Sequence, residues 1–221
     1  MNTAIDPTLQ RRLDEMVEQL NNRYGDRFGR DHIQEVFDDS VARLATTAKV
    51  TEYLPAIAYK FASERLGSMS RTQAPRPGRE CDVVFVSLSG GGRGQIAAAL
   101  TTLLSDGQVT VHSAGTAVEG TIDPAVRTVL SERGIDASEA FARPVTDEVL
   151  EGADVIVTMG HSVGVIEIPT GVRHEDWRVG DPIGASVDEA RRVRDDIERR
   201  VRTLLQHLDS PSPDDGPDVS S

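Results

Sequence analysis

The residues with the most chemistry in this chain lie in one short loop, with the sequence SLSGGGRG. A run of β-branched residues ends just before it, and a helix is predicted to begin at about Arg93. Consecutive glycines let backbone N–H groups point inward, an arginine can hold an oxyanion through two hydrogen bonds, and a helix N-terminus adds partial positive charge. The loop therefore predicts an oxyanion site. Its predicted anion-binding residues are Ser87, Leu88, Ser89, Gly90, Gly91, Gly92, Arg93 and Gly94.

A simpler interpretation of the same loop is a tight turn between a strand and a helix, with a surface arginine. Two nucleotide-binding loops are excluded by their patterns. The GxxxxGK[ST] motif is absent because no Gly-Lys pair follows, and GxGxxG is absent as well.

Composition limits the chemistry that can surround this loop. Cys81 is the only cysteine, which excludes an internal disulfide and a zinc site built from several thiolates. Six extended residues at about 3.3 Å each separate it from Ser87, so we expect its thiol to lie about 20 Å away. The net charge of −12 provides no basic surface for nucleic acid. We predict neither a metal nor a cofactor.

Two hydrophobic patterns divide the chain. Up to residue 66, apolar residues recur at helical spacing and predict three helices, starting near residues 9, 31 and 52. From residue 81 onward, short β-branched runs at 82–86, 109–113 and 154–158 alternate with helical runs at 95–104, 124–133 and 187–208, which predicts a parallel α/β sheet. The predicted organisation is a three-helix bundle over 8–66, a linker over 67–80, an α/β domain over 81–208 and a disordered acidic tail over 209–221. Because a bundle of about 65 residues is marginal alone, we expect it to dock on the rest.

Several runs in fixed order resemble the low-molecular-weight protein tyrosine phosphatases and the related thiol-dependent arsenate reductases, in particular the actinobacterial type with an N-terminal three-helix domain. The runs are SLSGGGRGQIAAAL at 87–100, VTVHSAGT at 109–116, DVIVTMG at 154–160 and EDWRVGDP at 175–182; VTEYLPAIAYKFASERL at 50–66 is similar to the helical domain. The resemblance covers residues from about 8 to 208. It implies a four-stranded, parallel, doubly wound sheet.

The resemblance also exposes departures at the nucleophile. The family's catalytic cysteine stands six residues before the loop arginine, and that position here is Ser87. The asparagine that holds the family's loop corresponds to Gly90, and the hydroxyl residue after the arginine corresponds to Gly94. A serine hydroxyl is a poor nucleophile without a base, whereas a thiolate is activated by a neighbouring arginine and a helix N-terminus. Three linked changes indicate natural divergence rather than a single engineered replacement.

Two further positions are implied by the resemblance. Asp181, followed by Pro182, stands where the family keeps its general acid, although outside this context the pair predicts only a turn. His161 replaces a cysteine found in some relatives after TMG, and a loop folded over the site would bring it toward Ser87. Ser87, His161 and Asp181 are the candidate catalytic residues of any active form.

The favoured prediction is a catalytically degenerate relative that binds phosphate, arsenate or a phosphorylated ligand without turnover. One alternative is an active phosphatase or a mycothiol- or thiol-coupled arsenate reductase with a Ser87/His161 site. Another is a regulatory module that forms homodimers through the helical domain. No apolar run approaches the roughly 18 residues that span a bilayer, and the amino terminus lacks a signal-peptide pattern, so we expect a cytoplasmic protein without membrane or nucleic-acid partners.

Overall fold

The computed structural model of the protein describes residues 7–45, 53–73, 81–118, 121–138, 140–160 and 166–208. None of the helices within these ranges is long and apolar enough to cross a membrane. The predicted tail over 209–221 lies outside the described residues. The elements in chain order are α1 (Pro7–Tyr24), α2 (Arg30–Ala45), α3 (Leu54–Gln73), β1 (Cys81–Ser87), α4 (Arg93–Leu104), β2 (Val109–Gly115), α5 (Pro124–Ser131), α6 (Asp147–Glu151), β3 (Val155–Met159), β4 (Arg173–Trp177) and α7 (Val187–Leu208).

The first three helices share one apolar core. On α1 the buried residues Leu13, Val17 and Leu20 follow helical spacing, so they form a single stripe. This stripe packs with buried residues of α2 and α3, among them Phe37 and Phe61. Each helix therefore removes its apolar face from water by contact with the other two.

The predicted linker over 67–80 is wrong in its first part, because α3 continues to Gln73. The continuation is stabilised by contacts with the α/β domain that local sequence does not reveal. Ser68 packs so closely on Gly152 that a β-carbon on that glycine would lie 2.8 Å from Ser68 Cβ. Arg71 Nε lies 2.8 Å from Asp82 Oδ2 at the start of β1. The remainder of the linker, residues 74–80, lies outside the described residues.

The α/β domain contains the four-stranded parallel sheet that the resemblance implies, with strand order β2-β1-β3-β4. Along β1, Val83 and Phe85 face a core shared with α4, α5 and α7, while Val84 and Val86 face a second core shared with α6. This alternation is the period of two expected of a strand buried on both faces. The predicted α/β class and doubly wound sheet are confirmed.

The edge strand β4 and the short helix α6 were not among the elements predicted from periodicity. Arg173–Trp177 has the sequence RHEDW, and only Trp177 is buried. An edge strand pairs on one side alone and needs no continuous apolar run, so its sequence carries little signal. The five-residue α6 is too short to show a helical period.

The helical domain docks on the second face of the sheet, as expected, through the buried Arg65 of α3. Its guanidinium lies 2.7 Å from Asp39 Oδ2 on α2 and 2.8 Å from Glu148 Oε1 on α6. Burial by itself would raise the pKa of both carboxyls. The hydrogen bonds from Arg43 and Arg65 to Asp39, and from Arg65 to Glu148, outweigh it and hold both pKa values below their ordinary range. Dimerisation through this domain stays a prediction.

Replacing Arg65 by alanine is expected to cost about 2 kcal/mol of unfolding free energy at pH 7, since it removes a buried guanidinium that makes charge-assisted hydrogen bonds to two partly exposed carboxylates. Because the pKa of each carboxyl is lower in the folded state, both carboxyls stabilise that state at pH values above their ordinary pKa. This stabilisation is lost as the pH falls through their pKa values in the folded state. Urea unfolding should therefore show parent stability falling below about pH 4.5 and a flatter profile for Arg65→Ala. If the unfolding free energies of the parent and Arg65→Ala fall in parallel with pH, Arg65 does not cause the lowered pKa values. Arg43→Ala, which removes an exposed partner of Asp39, is the control and should cost about 0.5 kcal/mol.

Candidate oxyanion site

The candidate site lies where the four strands end. Ser87, the last residue of β1, is in register with Gly115 on one side and with Met159 on the other, and Met159 is in register with Trp177. The carboxyl ends of all four strands therefore form one level edge. The strand order also reverses here, because β2 lies on one side of β1 and β3 on the other. Ligands of open α/β sheets bind in the crevice at such a switch point.

The loop between β1 and α4 is held by bonds to its carbonyl groups. Ala117 N donates to Leu88 O (2.7 Å), and Asp123 N donates to Gly91 O (3.3 Å). The side-chain amide of Gln95 lies 3.0 Å from Gly90 O, 2.7 Å from Ser113 Oγ and 3.1 Å from Phe141 O. In a trans peptide group the C=O and the N–H point in opposite directions. The loop carbonyls that bind the surrounding protein therefore turn the N–H groups of the same peptides away from it.

Two glycines are required by this loop geometry. Gly90 has a φ of +68°, a conformation that side-chain-bearing residues rarely adopt. A β-carbon on Gly115, at the end of β2, would lie 2.7 Å from Gly90 N, so only glycine permits the approach of the two backbones. The sequence predicted glycines with free backbone conformation within the loop. The requirement for glycine at position 115 follows from its close packing against the loop in the folded structure.

Most backbone N–H groups of the loop make no hydrogen bond to the rest of the described protein. Gly91 N donates to Ser89 Oγ at 3.3 Å. Within the described residues, the backbone N–H groups of Ser89, Gly90, Gly92, Arg93 and Gly94 donate no hydrogen bond to another backbone group. Gly92 occupies the N-cap position of α4 and provides no side-chain cap. Unpaired N–H groups at the positive end of a helix are donors of the kind that can bind an anion.

Arg93 adds a full positive charge to the loop. Its side chain is buried, and its Nη2 lies 3.1 Å from Asp181 Oδ2. The guanidinium lies against the backbone of Gly160, after β3, where a β-carbon would stand 1.9 Å from Arg93 Nη1. The structure thus brings Arg93 and Asp181 together, as the family motifs imply, and adds Gly160, which the sequence analysis missed.

The segment carrying Asp181 is fixed over the loop by Asp123, another residue that the sequence analysis missed. A β-carbon on Gly92 would lie 2.9 Å from Ile183 Cγ1, so Ile183 covers that glycine. Asp123 Oδ2 accepts a hydrogen bond from Gly184 N (3.0 Å), and its Oδ1 accepts one from Ala125 N (2.8 Å) as the N-cap of α5. The signal for Asp123 was an Asp-Pro pair before a helix, which predicts a cap but not this second contact.

Ser87 lies at the floor of the site. The residue is 1% exposed, and its Oγ has no hydrogen-bond partner among the described residues. A β-carbon on Gly94, in the first turn of α4, would lie 3.2 Å from this Oγ, so the hydroxyl points toward the helix N-terminus. An unsatisfied buried hydroxyl costs about 1–3 kcal/mol, a cost that a hydrogen-bonding ligand would remove.

The remaining sequence candidates lie elsewhere. Cys81 is at the opposite end of β1 from Ser87, paired with Val109 at the start of β2. Its sulfur therefore cannot attack a ligand held by the loop. His161 lies outside the described residues, so the Ser87–His161 pair stays a prediction.

The strand-loop-helix arrangement and the order of its motifs point to one class of protein. Residues 82–213 match the family described as low molecular weight phosphotyrosine protein phosphatase, and residues 13–70 match the protein-tyrosine-phosphatase-like N-terminal domain. The first match covers more than half of the chain. The chain therefore belongs to the low-molecular-weight phosphotyrosine phosphatase family, and the family resemblance seen in the sequence is confirmed.

Individual relatives place it near the arsenate reductases of this family. A thioredoxin-dependent arsenate reductase of Corynebacterium glutamicum has a similar structure, with a TM-score of 0.78 and 31% identity over 89% of this chain and 96% of that one. An arsenate reductase of Brevibacillus brevis is 36% identical over 98 residues, which are 43% of this chain and 72% of the relative. A Cys-to-Ser variant of the YwlE arginine phosphatase, solved with a phosphorylated active-site serine, has a TM-score of 0.50 and 28% identity over 58% of this chain and 98% of that one.

Proposed function

We propose that this chain is a catalytically degenerate member of its family that binds phosphate, arsenate or a phosphorylated ligand at the loop from Ser87 to Gly94. The observation that carries the proposal is the combination of loop N–H groups that donate no backbone hydrogen bond with Arg93 and a buried Ser87 Oγ that has no partner among the described residues. All three provide hydrogen-bond donors, which is what a tetrahedral oxyanion requires. The anion would complete the bonds that the described residues leave unmade.

Turnover is not expected, because the reactive sulfur is absent from the site. Reduction of arsenate to arsenite takes up two electrons, which thiols supply by forming a disulfide. The only thiol of this chain, Cys81, lies at the far end of β1. Phosphate ester hydrolysis by the family's route requires a thiolate, and the Ser87 hydroxyl ionises far less readily. Arg93 and Asp181 would then serve binding rather than catalysis.

Titration calorimetry with inorganic phosphate tests the proposal. We expect binding at millimolar concentration and affinity at least tenfold weaker for Arg93→Ala, because a charge-assisted hydrogen bond contributes about 1.5–3 kcal/mol. Arg127→Ala, which removes an exposed positive charge from α5 of the same domain, is the matched control and should bind as the parent does. Absence of binding by the parent, or equal affinity of Arg93→Ala and the parent, would refute the proposal.

The active alternatives are tested in the same preparation. Hydrolysis of p-nitrophenyl phosphate and thiol-coupled reduction of arsenate should both remain at background. Turnover that disappears on replacing Arg93 or Asp181 would instead favour an enzyme with a Ser87/His161 site, and His161→Ala would then identify the role of the histidine.

A further inference from the structure

The position of Ser87 allows a chemical step beyond reversible anion binding. Its hydroxyl is buried at the floor of the loop, points to the first turn of α4 and has no partner among the described residues. The oxygens of a bound phosphoryl group would accept hydrogen bonds from the loop N–H groups and Arg93. Its phosphorus would then lie next to Ser87 Oγ. This arrangement would place an electrophilic phosphorus next to a nucleophilic oxygen.

Phosphoryl transfer demands less of the nucleophile than arsenate reduction does. Its transition state is loose and resembles metaphosphate, so that catalysis consists mainly of positioning and of stabilising charge on the three equatorial oxygens. The loop N–H groups and Arg93 provide both functions. Because a serine hydroxyl ionises far less readily than a thiol, a suitable donor carries a leaving group that departs as a stable anion.

We propose that Ser87 Oγ accepts a phosphoryl group from an acyl phosphate and retains it as phosphoserine. In this step a bond forms between Ser87 Oγ and phosphorus, and the bond between phosphorus and the acyl oxygen breaks. The carboxylate leaves with the electron pair of that bond, and the hydroxyl proton is released to water. The inference rests on the proposed anion site and adds a covalent product to it.

We expect the phosphoserine to persist because its hydrolysis would require the serine oxygen to leave phosphorus. A thiolate leaves phosphorus readily because the thiol pKa is about 8.5, whereas an alkoxide is a much poorer leaving group. Protonation of Ser87 Oγ would assist departure, but the described residues place no acid within hydrogen-bond range of it. The phosphorylated serine of the YwlE variant supports retention, since that protein holds a phosphoryl group on a serine in a related site.

Intact-mass spectrometry of the full chain after incubation with acetyl phosphate tests the inference. We expect a gain of about 80 Da, one phosphoryl group per chain, that persists for hours after the donor is removed. Ser87→Ala should show no gain, and Arg93→Ala should gain at least tenfold more slowly. Ser131→Ala, which changes an exposed serine at the end of α5, should behave as the parent does. Inorganic phosphate should slow the parent's reaction by occupying the same loop.

The outcomes separate this inference from the proposed function. Absence of a mass gain in a parent chain that binds phosphate overturns the phosphoserine and leaves the anion site intact. An equal gain in Ser87→Ala overturns it as well, because the modified residue then lies elsewhere. A gain that decays with release of phosphate overturns retention and shows turnover. A chain that neither binds phosphate nor gains mass refutes both proposals.

Discussion

Replacing Ser87 by cysteine is expected to raise hydrolysis of p-nitrophenyl phosphate at least about 100-fold above the parent. The thiol would stand at the N-terminus of α4 and near Arg93, two features that lower a cysteine pKa toward or below neutrality. Space for the larger sulfur exists because Gly94 has no side chain next to Ser87 Oγ. The thiolate would attack phosphorus, and water would then release phosphate from the phosphocysteine intermediate.

The aspartate beside Arg93 makes this variant informative about mechanism. Asp181 can protonate the leaving oxygen and then take a proton from the attacking water, so adding Asp181→Ala should lower the rate of Ser87→Cys by about 100-fold or more. Adding Arg93→Ala should abolish the gain in activity, because phosphate then loses its guanidinium contact. Adding Cys81→Ser should leave the rate unchanged, since that residue lies at the other end of β1.

A Ser87→Cys variant that binds phosphate and remains inactive would show that the nucleophile is not the only catalytic feature lost. The changes at Gly90 and Gly94 would then have removed an essential support of the thiolate, and degeneration of the site would extend beyond the nucleophile. Activity, in contrast, would mean that the parent keeps the family's electrostatic machinery and lacks only the sulfur.

The sequence was sufficient to predict the elements whose apolar patterns are long. The buried β1 and the 22-residue α7, Val187–Leu208, appear where periodicity places them. The edge strand Arg173–Trp177 did not, because a strand exposed on one side can be polar throughout. The end of α3 was also missed, since Ser68 and Arg71 are held by a domain that begins ten or more residues later in the chain. Local pattern does not contain such long-range contacts.

The site shows the same division between local and tertiary information. Arg93 and the loop glycines were predicted from composition, and Asp181 from the order of family motifs. Gly160 carried no signal beyond its place in the TMG run, because the reason for a glycine there is the guanidinium lying on it. Gln95 likewise binds three oxygens from three separate segments, and only the folded chain brings those segments together.

The contact between Gly160 and Arg93 leads to the second large effect. In Gly160→Ala the new β-carbon would lie 1.9 Å from Arg93 Nη1 and 2.7 Å from Cζ, so the guanidinium must leave its position. Phosphate affinity should fall at least tenfold, as in Arg93→Ala, although every charge is retained. The φ of +94° at Gly160 adds backbone strain of about 1–3 kcal/mol to the loss of stability.

Gly171→Ala is the control that distinguishes the steric clash with Arg93 from backbone strain at a positive φ. Gly171 has a similar φ of +87°, but a β-carbon there would meet no atom within 4 Å, so we expect lower stability and unchanged phosphate affinity. Adding Gly160→Ala to Arg93→Ala should then cost no more stability than Gly171→Ala, because no guanidinium is left to displace. Calorimetry and urea unfolding of the four variants measure both quantities. If Gly160→Ala binds phosphate as the parent does, Arg93 reaches the anion from another position, and its contact with Gly160 plays no part in binding.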